Sequence, residues 1–391
     1  MSVAASRERV DLILNVDAIT PPLSGIGRYA LRLATGLRTH PAVGEVRYFS
    51  AYKWVGDPRV ALTANRTLTM LRRWVPAKSA AIRAYFALRQ RRFDQLTRRL
   101  DGYVLHCPNY LLFEHTGPRV CTVHDLSWLH YPQYHPAERV RILHERMPRS
   151  LEIADAVITD SQFVRDEVIR TFALDPARVH AVPLGVDETF RPHSEAQTRT
   201  AMTAFGLRHG DYLLALATLE PRKNLDRLLD AYECLDASLR RHYPLVLIGA
   251  IGWHADRLVE RIDALAARGE AKRLGYVDEA TLLQLVAGAR ALAFPSVYEG
   301  FGLPPLEAMA SGVPVVASSA SCIPEVTADA ALLVPPDDTG RLTTALEQAL
   351  VDAAWRDAAR ARGIARAREF TWQRCVDATV RIYRNVAAAR H

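Results

Sequence analysis

The chain has 391 residues, 49% hydrophobic and 24% charged, a balance that excludes an intrinsically disordered chain and a single small domain. The formal charge of +7 suits an anionic partner but does not choose between phosphate, nucleic acid and an acidic membrane face. Five cysteines, odd in number and without a C-x-x-C pair, read as reduced thiols of a cytoplasmic protein, not as a disulfide framework.

In chain order, the first half alternates short apolar runs with longer stretches of 3.6-residue period, the pattern of a parallel sheet covered by helices. Strands are predicted at Val10 to Ile19, Val46 to Tyr52, Tyr103 to His106, Arg119 to His124, Ala156 to Thr159 and Val179 to Val182. Helices fall near Ile26 to Arg38, Ala77 to Leu100, Pro136 to Ile153 and Ser161 to Phe172. The text then turns polar, and a linker is expected over 191–210. Strands resume at Tyr212 to Ala217, Leu245 to Gly249, Arg273 to Tyr276, Ala291 to Pro295, Pro314 to Ala317 and Ala331 to Val334. Helices between them begin near Asn224, Ala255, Glu279, Pro304 and Gly340. An amphipathic helix from Thr371 to Ala388 ends the chain. The fold class is therefore α/β, with two Rossmann-like doubly wound parallel-sheet domains facing a cleft: residues 1–190, residues 211–370, and a helix over 371–391 reaching back to the first domain. The longest apolar run, Tyr243 to Trp253, falls short of the about 20 residues of a bilayer span, and the first residues hold no signal core. Neither a membrane span nor secretion is expected.

The densest chemistry lies in Phe294 to Pro324, where a strand end, a glycine-bearing turn and a helix start follow one another. Amides of Gly300, Phe301, Gly302 and Leu303 can face an anion at the helix N-terminus. Glu299 and Glu307 bracket that turn with seven residues between them, and paired carboxylates there suit sugar and ribose hydroxyls. Upstream, Arg222 and Lys223 stand at another strand-to-helix junction, where the helix dipole disfavours idle cations and a diphosphate would neutralise them, with Asn224 able to cap. Only four residues of the chain are lysine, which sharpens the meaning of Lys223. No D-x-D pair exists and the histidines lack ligand spacing, so no metal is expected.

In the first half, Gly25-Ile26-Gly27-Arg28-Tyr29-Ala30 matches G-x-G-x-x-A, but Phe49-Ser50-Ala51-Tyr52 supplies no ribose-binding acid, which argues against a dinucleotide cofactor. A close approach of Gly25 and Gly27 to a ligand stays expected. His124 ends a strand and is a candidate for the site, with His106 a weaker one of the same kind. The stretch from Ala77 to Leu100 carries Lys78 and six arginines against Asp94. It reads either as a helix for anionic lipid or as a sheet-covering helix with a solvated basic face.

With these residues in view, the chain resembles the retaining glycosyltransferases of family 4, which have the two-domain GT-B architecture. Glu299 and Glu307 match that family's Glu-x7-Glu motif, the GVPVVAS stretch its following strand, and VPLGVD its strand before the linker. The likeness spans essentially the whole chain and is strongest from Asp211 to Val334. One departure is clear: where the family has Gly-Arg-Leu, then three residues, then Lys-Gly, this chain has Ala217-Thr218-Leu219, then Glu220-Pro221-Arg222, then Lys223-Asn224. Thr218 thus stands in place of the usual arginine, and Arg222 is the residue to take over its charge. The TLEPRKN variant is similar to a branch with bacterial mannosyltransferases of surface-polysaccharide assembly.

The resemblance implies a transferase that moves mannose from GDP-mannose to a saccharide or lipid-linked saccharide, with no cofactor, metal or nucleic acid. The reduced thiols place it in the cytoplasm, and peripheral contact with anionic membrane at its inner face is expected only under the lipid-binding reading of the basic stretch. The resemblance assigns Glu307 to the ribose, Glu299 to the donor sugar, Arg222 and Lys223 to the diphosphate, and the backbone of Gly275, Tyr276 and Val277 to the base. Gly25 and Gly27 would approach donor phosphate and acceptor, and His124 the transferred sugar. A UDP- or other nucleotide-sugar donor, and a nucleotide-sugar epimerase of the same architecture, are the alternatives.

Overall fold

Four-residue runs such as LLAL, LVLI, ALAF and VVAS are too short for helices and too apolar for an exposed strand. A parallel sheet buried on both faces is the arrangement that hides them. The computed structural model describes residues 9–21, 23–60, 79–253 and 255–390, grouped in two units.

Unit 1 takes the chain to Leu126, Arg141–Gly185 and Trp372 onward. Its strands are β1 (Val10–Asn15), β2 (Val43–Ser50), β3 (Lys53–Val55), β4 (Val104–Cys107), β5 (Arg119–Val123), β6 (Ala156–Thr159) and β7 (Val179–Ala181). Their order is β3-β2-β1-β4-β5-β6-β7, parallel except for β3, which pairs antiparallel with β2 at the edge. The closing helix Trp372–Ala388 buries Val376, Val380, Ile382 and Tyr383 in this unit. Gly36 lets it come close, since a Cβ there would sit 2.6 Å from Val376 Cγ2. The Tyr383 hydroxyl lies 2.6 Å from His106 Nδ1, and His106 Nε2 lies 2.8 Å from Thr122 Oγ1. Burial pushes His106 down to about 3, so it is a neutral core residue and not part of a site.

Unit 2 comprises Ser127–Val140 and Val186–Thr371. Its strands are β8 (Leu213–Leu216), β9 (Leu245–Ile248), β10 (Ala271–Gly275), β11 (Ala291–Phe294), β12 (Val315–Ser318) and β13 (Ala331–Val334), all parallel in the order β10-β9-β8-β11-β12-β13. Leu228, Leu229, Ile262 and Leu346 from the covering helices pack on Leu213, Leu245 and Leu247.

Three expectations need correcting. Residues 195–205 are not linker: Glu195–Phe205 is a helix, with Ser194 and Gln197 forming a reciprocal capping box and Gly206 ending it in the left-handed region. A helix at Ala353–Ala367 escaped the reading altogether. Ser127–Val140, assigned to the first domain, groups with unit 2.

The basic helix runs Ser79–Thr97; Ala77 and Lys78 lie outside the described residues. Among the described residues no helix is long and apolar enough to cross a membrane.

Candidate active site

In unit 2 the strand order reverses between β8 and β11, and the crevice beyond the carboxyl ends of such a pair is where doubly wound sheets take ligands. The segments leaving these two strands hold the charged residues singled out above. After β8, Pro221–Lys223 makes a single 3-10 turn and Asn224 adopts a left-handed φ of 56°. Asn224 does not cap the next helix through its side chain, contrary to expectation. Its amide instead donates to the carbonyls of Pro295 (3.0 Å) and Pro336 (2.7 Å), lashing the turn to the exit of β11. The Val297 amide donates to the Arg222 carbonyl at 3.0 Å and completes that seam.

Beyond β11, Glu299 lies between the two cations. Lys223 Nζ donates to Glu299 Oε1 at 2.5 Å, and Arg222 Nη1 donates to Glu299 Oε2 at 3.1 Å. Arg222 also donates to the Tyr298 carbonyl (2.7 Å) and to Glu220 Oε1 (2.9 Å). All four charged side chains are at most 13% exposed. Burial opposes the charge on Glu299, but Lys223 and Arg222 outweigh it and hold the carboxyl below the ordinary glutamate range. Burial, with Arg222 beside it, pushes Lys223 below the ordinary lysine range against the pull of Glu299. Both terminal nitrogens of Arg222 are engaged by the protein, so Arg222 positions Glu299 and Lys223. Lys223, with three donors and one spent on Glu299, has N–H groups for an incoming anion.

The Glu299 backbone is fixed as well: its amide donates to Ser321 Oγ at 3.0 Å and its carbonyl accepts from the Cys322 thiol at 3.1 Å. Gly300 and Phe301 lead to Gly302, whose φ of 105° starts the helix Leu303–Ala310. That conformation favours glycine, and a Cβ there would also sit 2.8 Å from Ile323 Cδ1. Glu307 lies within this helix and is 3% exposed.

On the other side of β8, Thr218 is exposed, and Gly275 ends β10 at a φ of 68° with Val277 half-buried beyond it. The sequence reading missed the loop after β9. Gly249 has a φ of 149°, and a Cβ there would fall 1.9 Å from the Ala217 carbonyl oxygen, so this glycine lets β9 exit against the turn that leads to Lys223. Ile251 and Tyr276, at the exits of neighbouring β9 and β10, are 56% and 64% exposed. The glycines of Gly249-Ala250-Ile251-Gly252 were the available signal.

Ser127–Val140 was missed as well. Within unit 2, the Trp253 indole donates to the Tyr134 carbonyl, and His130 and Tyr131 approach the Tyr298 ring at 6.0 and 5.6 Å. Tyr298 precedes Glu299 and supplies a carbonyl to Arg222, so this strap abuts the charge centre.

Comparison with known proteins agrees with this geometry. Residues 206–369 match the model described as glycosyl transferases group 1, and residues 23–190 match glycosyltransferase family 4. The chain is 36% identical over 381 residues to the O-antigen chain mannosyltransferase B of Escherichia coli, covering 95% of this chain and 99% of that protein. It belongs to the group 1 glycosyltransferases. A serotype-specific mannosyltransferase WbdA of Escherichia coli is 31% identical over 261 residues, which cover 65% of this chain and 32% of that protein. The structure of a sucrose-phosphate synthase from Thermosynechococcus elongatus superposes with a TM-score of 0.72 at 21% identity, over 97% of this chain and 100% of that one. Its fold, GT-B, is the fold of this glycosyltransferase.

The candidates in unit 1 are placed differently from the expectation. His124 follows β5, but its Nδ1 lies 2.7 Å from Asp160 Oδ2 and its Nε2 lies 2.9 Å from the Pro108 carbonyl. Burial disfavours its charge, yet Asp160 and the Pro108 carbonyl prevail and raise its pKa. Neither nitrogen is left for a sugar hydroxyl, so His124 is corrected from a sugar contact to a residue that holds the β5 exit. Gly25 opens the helix Gly25–Thr39, and the Gly27 amide donates to the capping Ser24 hydroxyl at 3.1 Å. A Cβ on Gly27 would sit 2.8 Å from the Ala18 carbonyl oxygen, so the chain's own backbone already requires this glycine.

Proposed function

We propose that this glycosyltransferase moves a mannosyl residue from GDP-mannose to a hydroxyl of a saccharide or lipid-linked saccharide, with retention and without a metal, in the assembly of a surface polysaccharide. The observation that carries the reading is the buried charge centre of Glu220, Arg222, Lys223 and Glu299 at the β8–β11 reversal, in a chain related over nearly its whole length to an O-antigen mannosyltransferase. Tyr276 and Ile251 take the base beside the Gly275–Val277 backbone, with Thr218 on the loop between base and phosphates. Glu307 takes the ribose hydroxyls, and Glu299 orients the donor sugar while fixing Lys223. Lys223 and the Gly300–Leu303 amides hold the diphosphate. As the bond from C1 to the phosphate oxygen breaks and C1 bonds the acceptor oxygen, negative charge gathers on the leaving diphosphate. Preorganised donors aimed at it supply the electrostatic stabilisation. The leaving phosphate oxygen accepts the acceptor's proton on the same face of the sugar.

A thermal-shift panel of GDP, UDP, ADP and their sugars tests the donor, because a ligand at 100 times its Kd stabilises by about 2.7 kcal/mol. The largest shift is expected with GDP-mannose; a larger shift with another nucleotide sugar overturns the donor. Proton NMR of the product reads the anomer, and an inverted one overturns retention. Glu307→Ala is expected to weaken GDP and GDP-mannose alike by about 1.5–3 kcal/mol, the worth of hydrogen bonds to a charged group, as calorimetry would read.

Peripheral membrane contact falls to the exposed Arg91, Arg98 and Arg99 at the end of the basic segment. Arg89 is no part of it, being 8% exposed and paired with Asp17. Vesicles rich in phosphatidylglycerol are expected to sediment the protein at low salt and release it at high salt. Reversal of Arg91, Arg98 and Arg99 to Glu should abolish that; sedimentation that survives it removes the contact.

A further inference from the structure

The amino ends of β5, β6 and β7 border a cavity of about 470 Å³ in unit 1. Arg119 opens β5, Ala156 opens β6 and Arg178 directly precedes β7, and all three line it. Doubly wound sheets take their substrates beyond the opposite, carboxyl ends of the strands, so this cavity stands apart from the ligand position of its own sheet. The helix Trp372–Ala388 adds Ile382, Asn385 and Val386 to the lining. The volume is that of a small-molecule site.

Three arginines and two carboxylates line the cavity, and both carboxylates are already held. Asp155 takes Arg390 Nη2 on both oxygens at 3.0 Å and the Arg119 amide on Oδ2 at 2.8 Å, while Glu152 pairs with Arg149 at 3.0 Å. Arg390 gives its other terminal nitrogen to the Thr116 carbonyl at 2.6 Å. The remaining two guanidiniums stay open. Arg178 uses Nη2 alone, on the carbonyls of Leu151, Glu152 and Ala154 at the end of the helix Ala137–Ile153, and its Nε and Nη1 make no hydrogen bond among the described residues. Arg119 has less. Its Nε is buried without a hydrogen-bond partner among the described residues, Asp155 Oδ2 lying 3.6 Å away, and its terminal nitrogens make no hydrogen bond there either, although the side chain is only 20% exposed. The half-buried His180 likewise makes no side-chain hydrogen bond among the described residues. Burial and the nearby Arg165 push it below the ordinary histidine range, so at neutral pH it is an uncharged imidazole with one N–H to give.

A largely buried guanidinium with no acceptor is costly, and an anion in the cavity would supply the acceptors. Charge selects its kind. With Asp155 and Glu152 held by other arginines, two positive charges are left over, which a carboxylate or a sulfate ester would only half neutralise. A phosphate monoester carries about −1.5 to −2 at pH 7 and three acceptor oxygens, and guanidinium edges fit such oxygens in pairs. Ile153, Ile382 and Val386 add an apolar part to the lining, which suits a compact apolar body on the ester. We propose that this cavity is a second ligand site that binds a small phosphate monoester, with Arg119 and Arg178 on the phosphate, the His180 N–H on a further oxygen and the three apolar side chains on the body. The proposal does not depend on the donor, acceptor or mechanism of glycosyl transfer. The phosphate can belong to a soluble ester or to a phosphatidic acid headgroup, and a cavity whose volume and apolar part fit a whole small molecule points to the soluble ester.

The test is calorimetry on the whole chain at neutral pH, with its donor site filled by whichever nucleoside diphosphate gives the largest thermal shift. The probes are phenyl phosphate and phenyl sulfate, alike in shape and different in charge. Phenyl phosphate should bind about 10-fold tighter or more, a preference that Arg119→Met should erase while the thermal shift with nucleotide is unchanged. Asp155 keeps Arg390 in that variant, so the local fold has its ion pair. Arg178→Met is the second variant, and a crystal soaked in para-bromophenyl phosphate, whose bromine anomalous scattering locates, reads the site without any substitution. Equal binding of the two probes by the wild type overturns the proposal, as does a preference that survives both substitutions or a bromine found only elsewhere. Phenyl phosphate that fills the site at soaking concentration and gives no heat in solution is an adventitious ion only, and overturns it too. So does sedimentation with phosphatidic acid vesicles that depends on Arg119 in a protein indifferent to the soluble probe, which would assign the arginines to a headgroup. The readout needs no turnover, so a wrong donor or failed transfer shows in the nucleotide panel and product analysis and leaves this result separate.

Discussion

Lys223→Ala is expected to lower turnover by about 100-fold or more, the scale of losing one preorganised donor to developing charge, while wild-type activity survives EDTA. The alternative way to meet charge on a leaving diphosphate is a divalent cation. Here the ammonium is held by Glu299 at 2.5 Å and backed by the Phe294 ring 5.5 Å away, so it is already oriented before a donor arrives. Lys223→Arg should recover little, because a larger planar group must fit where a compact ammonium sits. The lowered pKa of Lys223 adds a pH signature. Activity needs the ammonium, so kcat/KM should fall on the alkaline side below the ordinary lysine range, and the limb should disappear in Lys223→Met. Stability should move the other way. Between its lowered folded pKa and its unfolded one, the unfolded chain binds more protons at this lysine, so stability rises with pH across that window. The Tm of wild type relative to Lys223→Met should therefore improve over the same pH range in which activity is lost. Reversible loss of transfer on chelation, restored by magnesium while Lys223→Ala stays near wild type, would overturn this mechanism.

The strands of both sheets could be read from the sequence because parallel strands buried on two faces are written as unbroken apolar runs. β3 could not: three residues at an antiparallel edge carry no such run. The helix at Glu195–Phe205 carried its capping box and terminal glycine in plain text, and its polar exposed face concealed them. For the site, the turn from Glu299 to Glu307 and the isolated Lys223 stood out because glycine, proline and charge occur at strand exits there. What remained hidden was pairing. Glu299 meets Lys223 across 76 residues of chain, and nothing in either segment shows that both terminal nitrogens of Arg222 are engaged by Glu220, Glu299 and a carbonyl. His124 misled for the same reason, since its strand-end position is visible and its partners Asp160 and Pro108 are not.

That pairing sets the outcome at Glu299. Truncating one member of a buried ion pair leaves the other uncompensated, at a cost of about 3–5 kcal/mol. Glu299 is the shared counter-ion of Arg222 and Lys223, so Glu299→Ala should lose fold stability on that scale as well as transfer. Glu299→Gln keeps the shape and an acceptor oxygen for Lys223 but removes the charge. It should keep more of the Tm than the alanine variant and still lose most turnover, because Lys223 then faces an amide and is no longer fixed by a carboxylate. The pH dependence separates charge from packing. A carboxyl whose folded pKa lies below its unfolded value contributes stability above the unfolded value and loses it as pH falls through the folded one. The Tm gap between wild type and Glu299→Gln should accordingly be widest near neutrality and shrink in acid, below the ordinary glutamate range. Denaturation scans of the two proteins from pH 7 to pH 3 check it. A gap that stays constant across the series would mean that Glu299 stabilises by shape alone, and Lys223 would then need another residue to orient it.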